Sequence, residues 1–83
     1  MDFMLEEEMI DLLTLCLQNP TSPEVPRAKE RISEIGNELY VDGGIDALEN
    51  MFFVLGNRIK EEIGKVPLPL RSLWNGITDQ WYY

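Results

Sequence analysis

Residues 31–56 read RISEIGNELYVDGGIDALENMFFVLG, and the fold turns on how this stretch is divided. Ile32, Ile35 and Leu39 recur at helical spacing before the glycines, continuing a stripe that begins at Ala28. Ile45, Leu48, Met51, Phe52 and Leu55 recur at the same spacing after them. Neither half alternates as a half-buried strand would. The pair Gly43-Gly44 therefore separates two helices, with Gly43 expected at the left-handed position that ends the first.

Working outward, the helix before the glycines is predicted over Val25–Val41. Arg27, Glu30, Arg31, Glu34 and Glu38 lie opposite its narrow apolar stripe, so it buries one side only. Pro23 and Pro26 sit near its start, where the first N–H groups have no helical partner. The helix after the glycines is predicted over Ile45–Ile63, its stripe extended by Ile59 and Ile63. Phe53 falls among Glu49, Asn50, Asn57 and Lys60, and is the clearest departure from the pattern.

Further out, Asn19-Pro20 closes an earlier segment, predicted helical over Asp2–Gln18. Leu5, Met9, Leu12, Leu13 and Cys16 make its stripe, and Phe3, Ile10 and Leu17 widen it. A surface that wide calls for neighbours on more than one side. Asp2 suits the N-cap, and Glu6, Glu7 and Glu8 complement the positive end of the helix dipole. A last, short helix is predicted over Leu70–Trp81, with Leu70, Leu73, Trp74, Ile77 and Trp81 in one stripe after Pro69. Trp74 is expected in the core, because large rings bury much area with few residues.

The fold expected is all-α: one domain over residues 1–83, a small bundle of four helices, three longer and one short and C-terminal. Gly36 and Gly56 both lie mid-helix, where glycine costs about 1 kcal/mol relative to alanine. Their presence predicts a close crossing of the second and third helices at the two glycines.

The pattern RISEIGNELYVDGGIDALENMFFVLG followed by LWNGITDQW resembles a group of small uncharacterised bacterial proteins. These pair an I-G-x-E-L-x-x-x-G-G stretch with a terminal W-x-G-I-x-x-W, where this chain has one residue more before the second tryptophan. The likeness covers residues 31–81 and leaves out the first helix. It implies a compact helical protein of bacterial type and no activity.

Composition narrows the function. The 83 residues carry 15 acids against 7 bases, a net charge of −8, with 45% hydrophobic residues. Binding to nucleic acid needs cations that replace phosphate counterions, so no nucleic-acid partner is expected. Anionic membrane surfaces are disfavoured by the same sign, and no apolar run approaches the length that crosses a bilayer. An acidic N-terminus without a signal-peptide pattern points to the cytoplasm.

The chain has no histidine and one cysteine, Cys16. A nucleophilic serine or thiol would lack its usual base. Glu7 with Asp11, and Glu34 with Glu38, stand one turn apart. They lack the inward Glu-x-x-His motif of helical di-metal sites. Gly43-Gly44 has no Lys-Ser/Thr after it and is no phosphate cradle. No enzyme activity, cofactor or metal site is expected.

Two functions fit these features. The first is a non-enzymatic protein–protein interaction module or small regulatory subunit acting through exposed aromatic and apolar surface. Its candidate contact residues are Phe53, Trp81, Tyr82, Tyr83, Ile10 and Leu17. The second is an acidic inhibitor, immunity-like or a nucleic-acid mimic, that blocks a basic protein. The wide apolar face of the first helix also suggests a homodimer through that helix and the last one.

Overall fold

The computed structural model describes residues 3–83. Helix α1 spans Phe3–Gln18 and helix α2 spans Val25–Ile63; a 3₁₀ helix spans Leu68–Trp74. No strand occurs among the described residues, and the all-α expectation holds. Asp2, the expected cap of the first helix, lies outside them.

Three helical elements replace the expected four, because the second and third run on as one. At 1.5 Å per residue a straight helix of 39 residues would be roughly 58 Å long. The whole molecule measures 30 × 24 × 23 Å, so α2 must fold back on itself. The break is at Gly44, with φ 71° and ψ −161°. That region of backbone space is open essentially to glycine alone. The positive φ therefore falls at Gly44 and not at Gly43, where a Cβ would instead stand 2.8 Å from the Ala47 Cβ, and the device is a sharp bend instead of a cap. It divides α2 into a first arm (25–43) and a second arm (45–63).

The other ends follow the expected chemistry. Pro26 occupies the first turn of α2. Gly64, at φ 71°, takes the left-handed position after the second arm and donates its N–H to the Lys60 carbonyl at 3.0 Å.

Helix α1 lies against both arms. Glu8 pairs with Arg31 of the first arm, while Leu12 and Leu15 share a cleft with Ala28. The two segments thus run antiparallel. Glu7 pairs with Arg58 of the second arm, and the Lys65 ammonium just beyond that arm donates to the Leu17 carbonyl. α1 and the second arm thus run the same way. The width of α1's apolar surface fits this placement, with Met9, Ile10, Leu13 and Cys16 buried in the core.

The two arginines gather the acids that sequence spacing left as solvated ridges. Arg31 makes a two-pronged bond to Glu8, Nε–Oε2 at 2.7 Å and Nη2–Oε1 at 3.1 Å, with Glu34 and Glu38 beside it. Arg58 holds Glu7 at 2.8 Å, with Glu6 and Glu62 nearby. These bonds hold the Glu8 carboxyl below its ordinary pKa and push both guanidinium groups above theirs. Of the carboxylate pairs Glu7/Asp11 and Glu34/Glu38, Glu7, Glu34 and Glu38 are drawn into this pattern. No group of three or more metal-ligating acids or thiols occurs among the described residues.

The last segment departs most from expectation. The predicted helix over 70–81 is instead a 3₁₀ helix that stops at Trp74. Asn75 is extended (φ −60°, ψ 136°) and Gly76 has φ 92°. Single turns follow, Ile77 N–H to Trp74 O and Trp81 N–H to Thr78 O, both at 3.2 Å. On one helix Trp74 and Trp81 would be separated by roughly 10 Å of axial rise. Here their ring centroids are 5.3 Å apart. The turns bring both rings into one core, with Trp74 1% and Trp81 3% exposed.

The two mid-helix glycines do not meet. Gly36 faces the Trp74 indole: a Cβ there would lie 2.5 Å from Nε1 and 2.6 Å from Ile77 Cδ1. The indole donates to the Ile32 carbonyl at 2.8 Å, one turn earlier on the same arm. Gly56 has nothing within 4 Å of where its Cβ would stand. The close approach expected between two helices is thus an approach of the last segment to the first arm.

Candidate interaction groove

An open groove of about 340 Å³ runs between the second arm of α2 and the segment that follows it. One wall is helical. Glu49, Phe53, Gly56, Asn57 and Lys60 recur at three- and four-residue spacing on one side of the arm, and Phe52 lies behind them. From Glu49 to Lys60 this wall is roughly 16 Å long, about three turns.

The facing wall comes from the irregular segment: Val66, Pro67, Arg71, Trp81 and Tyr83. Its shape is set by hydrogen bonds. Trp81 donates its indole N–H to the Arg71 carbonyl at 2.6 Å. The Asn75 side chain grips Tyr83 at both ends of its amide: Nδ2 donates to the Tyr83 oxygen at 2.7 Å, and Oδ1 accepts the Tyr83 N–H at 3.0 Å. The Arg71 guanidinium lies 3.9 Å above the Tyr83 ring. Tyr83 meets Trp81 edge-on at 5.3 Å, and Trp81 meets Phe52 at 5.9 Å. The result is a chain of rings from core to surface.

Of the six residues expected to contact a partner, Phe53, Trp81 and Tyr83 come together here. Phe53 is 72% exposed, and Tyr83 is exposed beside it. Trp81 contributes as a buried backing to the groove and not as the free anchor that sequence suggested. The other three do not join it. Tyr82 is exposed but does not line the groove, and Leu17 is half-buried against the core. Ile10 is a core residue at 5% exposure.

Lys60, Arg71 and Gly56 were not singled out as contact residues. Lys60 and Gly56 follow Phe53 on the same helical ladder, so the exposed ring points to them. Arg71 had no such signal, because its place depends on the turns after Trp74. The only thiol, Cys16, is buried, and burial pushes its pKa up, away from nucleophilic use.

Comparison with known protein families, curated proteins and solved structures returns no match. No helix among the described residues is long and apolar enough to cross a membrane.

Proposed function

We propose that this protein is a non-enzymatic protein–protein interaction module that engages a partner through the groove between the second arm of α2 and the final segment. The observation that carries the reading is Phe53. A phenylalanine on a polar helical ridge, mostly in water, contributes nothing to the core it faces away from. Aromatic side chains dominate the energetics of protein interfaces when a partner buries them. Here the ring stands over a groove already backed by Trp81 and Tyr83. The reading places the protein in the cytoplasm, where its single thiol stays reduced.

The acidic-inhibitor alternative draws on the net charge of −8. It is the weaker reading because Glu6, Glu7, Glu8, Glu34, Glu38 and Glu62 are gathered on Arg31 and Arg58 instead of facing a partner.

The test is site-specific photocrosslinking. A photoreactive phenylalanine analogue at position 53, in the full chain expressed in its native cell, should give one dominant adduct. The same analogue at Glu30, on the first arm, should not. Equal patterns from both positions would remove the groove from the reading. An adduct at Glu30 alone would move the interface to the other side of the molecule.

A further inference from the structure

Gly56 stands in the middle of the groove wall with open space where a side chain would be. Its backbone is ordinary helix, because it is not among the glycines with positive φ. Neither conformation nor internal packing therefore requires glycine, in contrast to Gly44 and Gly36. A helix-weakening residue with no return inside the chain is explained when something outside approaches the bare backbone.

The charges around this opening are the second observation. In a chain with twice as many acids as bases, two cations line this one groove, Lys60 and Arg71. Neither forms an ion pair among the described residues, whereas Arg31 and Arg58 are each surrounded by carboxylates. Arg71 is held in place by the Tyr83 ring, which leaves its guanidinium edge free. The one acid of the groove, Glu49, lies at the far end of the helical wall, roughly 16 Å of helix from Lys60.

We infer that the groove binds an acidic segment of a partner protein. One apolar side chain of that segment seats on the Gly56 floor between Phe53 and Tyr83, and its neighbouring carboxylates face Lys60 and Arg71. This assignment rests on the interaction reading above and adds the chemistry of the partner. A protein of net charge −8 would repel such a segment at long range, so the cations and the ring contacts must act at short range.

The experiment selects a displayed library of random 12-residue peptides against the intact protein, then measures the winners as synthetic peptides by fluorescence anisotropy. Selected sequences should carry aspartate or glutamate beside a Leu, Phe or Trp. K60E/R71E should weaken them at least about tenfold, as expected when charge pairs at an interface are reversed. Gly56→Ala should raise the thermal midpoint of the free protein yet weaken the same peptides severalfold. A role in folding alone would not produce that opposition.

Peptides that need Phe53 but are neutral or basic, or are indifferent to K60E/R71E, would overturn the acidic assignment and leave the groove as an interface. Gly56→Ala that binds as tightly as the parent would remove the seat on the floor. No enrichment over a blank would overturn both the assignment and the reading it rests on. A concentration-dependent dimer in sedimentation, dissolved by Phe53→Asp, would put a second copy in the groove and overturn the partner segment.

Discussion

The indole of Trp74 lies so close to the first arm of α2 that a Cβ at Gly36 would stand 2.5 Å from its Nε1. The same ring donates to the Ile32 carbonyl at 2.8 Å, so the last segment is fixed to the arm by a bond and by a fit. This contact, and not a helix crossing, is what the glycine in the motif Ile35-Gly36-Asn37-Glu38 serves.

A pair of opposite effects follows. Gly36→Ala places a methyl group 2.5–2.6 Å from Trp74 and Ile77, atoms of a buried ring and its neighbour. Overpacking of that kind costs about 1–3 kcal/mol, more than the gain in helix propensity. Gly56→Ala meets nothing and should stabilise by up to about 1 kcal/mol. Urea titration of both variants, followed by circular dichroism, checks the signs.

Gly44 makes a different demand. Its φ of 71° with ψ near −161° excludes a Cβ on conformational grounds, although space for one exists. Gly44→Ala should lose about 1–3 kcal/mol through backbone strain. A loss of that size with no change in the denaturant slope would show that the bend survives under strain. A changed slope would show that the arms have come apart.

Much of the architecture was legible because periodicity and punctuation agree. The predicted ends of the helices at Gln18, Val25 and Ile63 coincide with the observed ones. Proline and glycine mark each end by local chemistry alone. The bend was legible as a break, but its location at Gly44 was not, since either glycine of the pair could supply positive φ.

The final segment was misread because Leu70, Leu73, Trp74, Ile77 and Trp81 fit a helical stripe. Nothing local forbids that helix strongly enough. The 3₁₀ turn and the bonds from Trp74 to Ile32 and from Trp81 to Arg71 arise from tertiary contact, which spacing cannot encode. Half of the groove was hidden for the same reason. Phe53 was visible as a misfit on a helix and Tyr83 as part of an aromatic ending, whereas Arg71 is placed by turns.

The two-pronged bond between Glu8 and Arg31 makes stability depend on pH. The bond favours the charged carboxylate, so the folded-state pKa of Glu8 lies below its ordinary value of 4.5. A group lowered in this way stabilises the fold above its unfolded value, and the benefit is lost as pH falls through the folded one. Both partners are partly exposed, which keeps the contribution to about 0.5–1 kcal/mol. Thermal midpoints should therefore drop as pH falls below that ordinary value and on through the lowered one. Glu8→Gln should lower the midpoint at pH 7 and make that drop shallower. An unchanged slope would assign the acid sensitivity to other carboxylates.

The grip of Asn75 on Tyr83 is the most local support of the groove, and it can be loosened in steps. Asn75 uses both ends of its amide, donating to the Tyr83 oxygen and accepting from the Tyr83 N–H. Asn75→Asp keeps the acceptor and loses the donor, while Asn75→Ala loses both. Exposed hydrogen bonds of this type contribute about 0.5–1.5 kcal/mol each. Global stability should fall little, because the core contacts of Trp74 and Trp81 do not pass through this amide. Tyr83 anchors the cation of Arg71 and closes one side of the groove, so local order should fall more. Hydrogen exchange at the Tyr83 amide should therefore quicken modestly in Asn75→Asp and strongly in Asn75→Ala. The Trp74 indole proton, bonded to Ile32, should stay protected in both. Loss of protection at Trp74 in step with Tyr83 would mean that the groove wall and the core open as one unit.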